Sequence, residues 1–428
     1  MNRPNIPQKN FELPERKSSN PKTQIPPMKS KLLFPVILLL SLVFCLPAMA
    51  VVDRINVTSS PYNAIPNDGI DDTAAINAAV AAGRSIYFPP GTYNYTGSIT
   101  LPANLSYRIY GDGPGVSTII FAGNPYAGIY GPNIGIHELN VEGLTLKANT
   151  ANAGTGIYAI FGPNYPNGSA KVRTAAIHNV QIVGSTRDGT TGGYWGGGIY
   201  LWKAQNAVVD KVEINGNKNV TSFGFFWDSS TDEAATGLNA SNLQIKWCNS
   251  AFKTGGHVEG IYLNGFEFTS CGRAGLTAVD LYTSGGGAAV QLVNGRIDSV
   301  GSGLAVTNQF AIKLANINFQ HTGPEAVDAT MVYINNSINN MFDVMITECS
   351  FYGVSPGQVA NENGIFLNNA HSVRIAGNNF THMQPGNGSC IVVLSNNTLI
   401  RVTDNLFSDV RNRYIDYAPG QVYYQGNN

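Results

Sequence analysis

The sequence predicts an all-β solenoid, a parallel β-helix of about ten rungs with one short α-helix capping its N-terminal end. Three observations predict it. A degenerate strand motif recurs every 22–36 residues, a second strand series interleaves with the first, and helical periodicity is confined to one stretch before residue 83. Self-similarity at such a period marks a repeat architecture in which each unit buries its apolar face only against its neighbours.

The first series pairs a polar residue, often Asn, with a short alternating apolar pair. Its members include "VEGLTL" (141–146), "HNVQIVG" (178–184), "SNLQIKW" (241–247), "ANINFQH" (315–321) and "DNLFSDV" (404–410). The last apolar residue of each member gives a column: Leu146, Ile182, Ile214, Ile245, Phe268, Ile297, Phe319, Phe351, Phe380 and Phe407. The second series reads "GIYAI", "GGIYLW", "GFFWD", "GIYLN", "TAVDLY", "TMVYIN" and "GIFLNN", each with the period of two of a half-buried strand. No long helical pattern separates the strands, which excludes a doubly wound α/β sheet. Ten or so units of two or three strands, joined by Gly/Asn turns, describe a β-helix whose inward residues and turn asparagines stack rung on rung.

The N-terminal helix falls on "DDTAAINAAVAAG". Asp72 to Ala82 carries an acidic start, apolar Ile76, Ala79 and Val80 at helical spacing, and Gly83 as a stop. A first rung has an open strand edge that invites aggregation. A short helix with small alanines is suited to lie across that end. Asp71 and Asp72 are read as lead-in turn and cap.

Residues 1–50 stand apart. Met1–Pro27 is a polar leader, and "MKSKLLFPVILLLSLVFCLPAMA" (28–50) has the basic start, short apolar stretch and small-x-small end of a signal peptide. The expectation is an exported chain, extracellular or periplasmic, with one β-helix domain over 51–428, of which 54–93 form the cap and first rung. The apolar stretch is too short for a comfortable span, so no stable membrane span is expected after signal cleavage. From residue 51 onward 19 Lys/Arg face 25 Asp/Glu, a mildly acidic balance that argues against a nucleic-acid partner. Charged residues make up 12% of the chain, half the usual share of about 25%. Of the four remaining cysteines, Cys248 and Cys271 each lie three residues after a column member, in adjacent rungs; a disulfide and a thiol pair both remain open. No spacing suggests a metal site or a cofactor motif.

"YNAIPNDGIDDTAAINAAVAAGRSIYFPPGTY…LSYRIYGDGPGVSTIIF" resembles the N-terminal signature of the pectate-lyase-like superfamily, in the branch with Asp-Asp-Thr-x-Ala-Ile followed by Pro-x-Gly-x-Tyr and Gly-x-Gly. The matching residues are Asp71, Asp72, Thr73, Ala75, Ile76, Pro89, Gly91, Tyr93, Gly111 and Gly113; "YNAIPNDG" departs from the usual lead-in. The resemblance covers about 65 residues and implies a right-handed parallel β-helix. It also implies a carbohydrate-active setting, since the superfamily includes lyases, hydrolases, epimerases and depolymerases. The polygalacturonase motifs Asn-Thr-Asp, Gly-His-Gly and Arg-Ile-Lys are missing, as is the Asp-Pro-His-Asp of alginate epimerases. No named activity carries over residue by residue.

Candidate residues therefore come from the outward positions of the second series. If Ile157, Ile199, Phe225, Ile261, Val279, Val332 and Ile365 point inward, then Tyr158, Tyr200, Phe226, Tyr262, Asp280, Tyr333 and Phe366 point outward. Two residues on stand Trp202, Asp228 and Tyr282, with Lys203 beside Trp202. Aromatic rings between acidic and amide groups suit a polysaccharide or other glycan, whose sugars offer apolar C–H faces and a rim of hydroxyls. Asp228 and Asp280, two rungs or about 9.6 Å apart, form the expected catalytic pair. Tyr200, Trp202, Lys203, Phe226, Tyr262 and Tyr282 form the expected substrate-binding set. A lyase would draw instead on Lys203, His257, Tyr262 and Arg273, with Lys253, His257 and Glu259 gathered in "KTGGHVEG". A non-catalytic glycan-binding or structural β-helix is the alternative.

Overall fold

The computed structural model describes residues 54–428, apart from 163–172, 187–191, 218–220, 274–275, 323–327, 337–342, 354–360, 384–387 and 419. The leader (1–27) and the signal-like segment (28–50) lie outside the described residues.

Three parallel sheets wind round one apolar interior. The chain visits them in turn: Ser85–Phe88 in sheet A, Gly91–Thr96 in sheet B, Ile99–Thr100 in sheet C, then sheet A again at Ser106–Gly111. The last strands are Val422–Gln425 in A, Leu406–Ser408 in B and Tyr414–Asp416 in C. Sheet B begins two rungs ahead of the expected column, because Tyr93 and Ile119 pair in line with Leu146.

The ten residues of the first series share one register down sheet B, and all are buried. Towards the C-terminus this column becomes a face-to-face ring stack: Phe319–Phe351, Phe351–Phe380 and Phe380–Phe407 have centroids 5.0, 4.6 and 5.1 Å apart. Each ring packs on identical neighbours, burying area and adding an aromatic contact at every step. The turn asparagines stack as well. Asn378 donates to Asn405 Oδ1 and Asn405 to Asn427 Oδ1, each at 3.0 Å. Their amides also donate to the carbonyls of Ile346 and Ile375, so these buried polar groups are satisfied.

Helix α1 (Thr73–Ala82) buries Ile76, Ala79 and Val80 and packs against Arg54–Asn56, Gly91–Thr96 and Ile99–Thr100, early strands of sheets A, B and C respectively. It thus lies across the open end of the solenoid. The expected cap is corrected in one respect. Asp72 flanks the helix but makes no capping bond to it; its carboxylate accepts from the N–H groups of Ile65 (2.8 Å) and Asn94 (3.1 Å), pinning the lead-in segment to sheet B. Asp71 accepts from the Thr73 N–H at 3.0 Å instead.

Cys248 and Cys271 are free and buried. Burial and the neighbouring Cys271 thiol push the Cys248 thiol well above the usual thiol range.

One sheet assignment is overturned, although Ile261 does point inward and Tyr262 outward. Ile261 pairs with Leu238 and Val290 and belongs to sheet A, so Tyr262 pairs with Asn239 and Gln291 there. The member of sheet C between Phe225 and Val279 is Phe252. "GIYLN" imitates the sheet C motif, but the strand that fills that rung is "SAFKT".

Candidate functional site

The outer face of sheet C carries a column that runs from Thr100 through Tyr130, Tyr158, Tyr200 and Phe226, then passes to Lys253 and Asp280. Alternation along each strand forces this: Ile157, Ile199, Phe225, Phe252 and Val279 are fully buried, so their successors point out. The rings touch in sequence. Tyr158 and Tyr200 stack at 4.6 Å, and Tyr200 meets Phe226 edge-on at 5.1 Å. Tyr126 extends the ladder, 5.3 Å from Tyr158, and Phe223 flanks Phe226 at 5.7 Å.

The polar end of the ladder is built from three strands. Asp228 lies in register with Trp202, one column over from Phe226. Its carboxylate accepts from the Tyr200 hydroxyl and from the Ser229 N–H, both at 2.8 Å. Gly255 stands directly below: a Cβ there would come 2.6 Å from Asp228 Oδ1 and 3.1 Å from the Phe226 ring. The Asp228 carboxylate therefore leans one rung towards the strand of Asp280, over a space that only glycine leaves free. Lys253 pairs in register with Asp280, and its ammonium rests 4.2 Å from the Phe226 ring centroid.

The electrostatics follow from this crowding. Burial pushes the Lys253 ammonium below its usual range, while Asp228 and Asp280 pull it back up. Burial on its inner side raises the Asp280 carboxyl above its ordinary value, and Lys253 opposes the rise. Asp280 also has an exposed outer side, which tempers the effect.

The remaining expected residues divide. Trp202 and Lys203 close one edge of the face: Lys203 Nζ lies 3.0 Å from Glu233 and 4.4 Å from the Trp202 ring centroid, and Arg173 also pairs with Glu233. Lys203 is thus anchored by a carboxylate at the edge of the face. Tyr282 is 40% exposed on the same sheet, two residues beyond Asp280. Tyr262 is on sheet A and is removed from the site. His257 is paired with Glu259 at 2.9 Å. The predicted spacing of the carboxylates is also corrected. They are two rungs apart with Phe252–Lys253 between them, and the two-residue offset puts their backbones about 12 Å apart.

Sequence reasoning missed Gly255, Glu233 and the place of Lys253. The signal for the last was rung length: Phe225 and Val279 lie two ordinary steps apart, with Phe252 midway.

Cavities of about 580 and 620 Å³ open elsewhere, on sheet B around Gln181 and Glu213 and on sheet A around Arg374 and Arg401. In the first, Gln181 donates to Glu213 at 2.9 Å and accepts from Thr145 at 3.2 Å, so these groups satisfy one another. Among the described residues no cluster of His, Cys, Asp or Glu could hold a metal, and no helix is long and apolar enough to cross a membrane.

A family model described as rhamnogalacturonase A/epimerase, pectate lyase-like, matches residues 54–277, just over half the chain. No curated protein matches the sequence. Among solved structures the chain is similar to tailspike protein 2 of a bacteriophage of Escherichia coli O157:H7, at 15% identity and TM-score 0.47 over 77% of this chain and 38% of that one. It therefore spans little more than a third of the tailspike's length. It is also similar to the catalytic unit of a thermostable alpha-1,3-glucanase from Streptomyces thermodiastaticus, at 13% identity and TM-score 0.47 over 88% and 68% of the two chains. A third likeness is to a family 28 exopolygalacturonase from Yersinia enterocolitica, at 12% identity and TM-score 0.43 over 87% and 77%.

Proposed function

The chain belongs to the rhamnogalacturonase A/epimerase, pectate-lyase-like family, and from that premise we propose that it is an exported enzyme that cleaves a polysaccharide along the outer face of sheet C. The observation that carries this reading is the convergence of Asp228, Lys253 and Asp280 at the end of a continuous aromatic ladder. Sugar rings lie on Tyr158, Tyr200 and Phe226, and the bond to be cut sits over Gly255. The signal-like segment 28–50 supports export.

The carboxylates take unequal roles. Asp280, with its raised pKa, is the proton donor to the leaving glycosidic oxygen. Asp228, fixed by the Tyr200 hydroxyl and the Ser229 N–H, takes a proton from water. The water oxygen bonds to the anomeric carbon as the glycosidic C–O bond breaks, so the products are two chains with one new reducing end. A carboxylate separation of about 6.5–9.5 Å leaves room for that water and inverts the anomeric centre.

A second reading rests on Lys253. Its depressed pKa suits a base that removes a proton beside a uronate carboxyl, as a lyase or epimerase requires.

The test is incubation of the protein, from Val51 onward, with neutral and uronate polysaccharides while following reducing ends and the ultraviolet absorbance of unsaturated uronates. Reducing ends without absorbance support the hydrolase. Both signals together support the lyase and sink the two-aspartate hydrolysis. Neither signal across a broad panel favours a glycan-binding β-helix.

A further inference from the structure

Sheet A carries a basic column that the cleavage chemistry does not use. Lys313, Met345, Arg374, Arg401 and Tyr423 follow one another in register on successive strands. All five side chains are exposed on the outer face. Arg374 and Arg401 are directly opposed on adjacent strands, about 4.8 Å apart at the backbone.

Like charges facing each other across strands are destabilising. Neither arginine, nor Lys313, has a carboxylate within ion-pair distance among the described residues. The nearby Asp343 accepts instead from the Ser372 hydroxyl at 3.2 Å. The column stands out on a chain whose acidic residues outnumber its basic ones from residue 51 onward. The two arginines line a cavity of about 620 Å³ with Ser372, Leu399, Gln421 and Tyr423. Tyr423 follows Arg401 in the column, and its hydroxyl is tied to Gln425 at 3.0 Å, which orients the ring.

We propose that this cavity is a second glycan site, distinct from sheet C, that binds an anionic polysaccharide through its uronate carboxylates. Guanidinium groups one rung apart offer paired N–H forks to carboxylates. The Tyr423 ring and Leu399 offer an apolar surface to the sugar's C–H face, which an inorganic anion would not use. Lys313, two rungs before Arg374, extends the positive stripe along the direction of a polymer. The site would hold a long acidic chain on a face separate from the cleavage groove. The choice of a glycan rests on the carbohydrate reading above; the anion site does not.

Calorimetric titration of the full protein at low salt with a hexamer of galacturonic acid, a neutral glucose hexamer and inorganic sulfate tests this. The expected result is uronate binding that weakens at least about tenfold in R374Q/R401Q, as the loss of charge-assisted hydrogen bonds requires. It should persist in D228N, and the neutral hexamer should show no arginine dependence. R401E should abolish uronate binding without lowering Tm, because it pairs with Arg374; this controls for misfolding. Unchanged binding in R374Q/R401Q, loss only in D228N, or no uronate binding at all overturns the inference. Sulfate binding as tightly as the hexamer overturns the glycan as occupant. If no polysaccharide is cleaved yet arginine-dependent binding persists, the cleavage reading fails and this one stands.

Discussion

Lys253 and Asp280 face each other in register on adjacent strands of sheet C, with the lysine ammonium folded back over Phe226. The pair joins the aromatic ladder to its acidic end. Neither charge is settled by the other alone, since burial opposes both and each partly restores the other.

This pairing sets the expected pH dependence. The folded pKa of Asp280 lies above its ordinary 3.8, so the folded state binds its proton more tightly than the unfolded chain. No stability difference arises below pH 3.8; a cost grows as pH rises through the folded value. In the proposed role of proton donor, Asp280 would lose activity over the same rise. K253M removes the cation that holds this pKa down, so the alkaline limb of the pH–rate profile should move to higher pH. A limb that stays in place, measured on the same polysaccharide, would remove Asp280 as the acid.

Gly255 gives a sharper geometric test. Its φ is not in the left-handed region, so alanine meets no backbone strain there, but a Cβ would press on Asp228 Oδ1 at 2.6 Å. G255A should lower kcat by about tenfold or more, as a displacement of order 1 Å in a catalytic group does. Tm should change little. Equal kinetics for G255A and the native protein would show that Asp228 does not act where it lies.

The ladder and the carboxylate are separable through Tyr200. Y200F keeps the ring against Tyr158 and Phe226 but deletes the 2.8 Å hydrogen bond to Asp228. Hydrogen bonds to charged groups contribute about 1.5–3 kcal/mol, so kcat should fall by roughly ten- to a hundredfold with KM nearly constant. Y158A should do the reverse and raise KM, since it removes a platform and leaves Asp228 held. Steady-state kinetics of the two variants on one substrate decide the assignment.

The fold was legible because stacking leaves a rung-length signature: the column from Leu146 to Phe407 could be read directly, since every member had to be apolar to face the interior. The site was only partly legible. Period-two patterning fixes which residues point outward, and so placed Tyr200, Phe226, Asp228 and Asp280 on the outer side of their strands, as the structure has them. It does not say which sheet a strand joins. "GIYLN" and "SAFKT" both alternate, and only rung length separates them: Ile261 leaves steps of 36 and 18 residues, where Phe252 gives 27 and 27. Contacts between distant segments, such as Glu233 with Lys203 and Arg173, have no local pattern to read.

The N-terminal helix carries the last prediction, and it concerns solubility rather than rate. Ile76, Ala79 and Val80 seal the first rung, and Asp72 ties the lead-in segment to Ile65 and Asn94. I76D places a carboxylate in that apolar seal, which should cost at least about 3 kcal/mol and loosen the helix from the sheet ends. The strand edges beneath would then offer unpaired N–H and C=O groups to other chains. Light scattering on mild heating should rise at lower temperature for I76D than for the native protein. A78S, on the exposed side of the same helix, should leave it unchanged. If I76D lowers stability in denaturant yet does not aggregate, the helix contributes packing energy without guarding the edge.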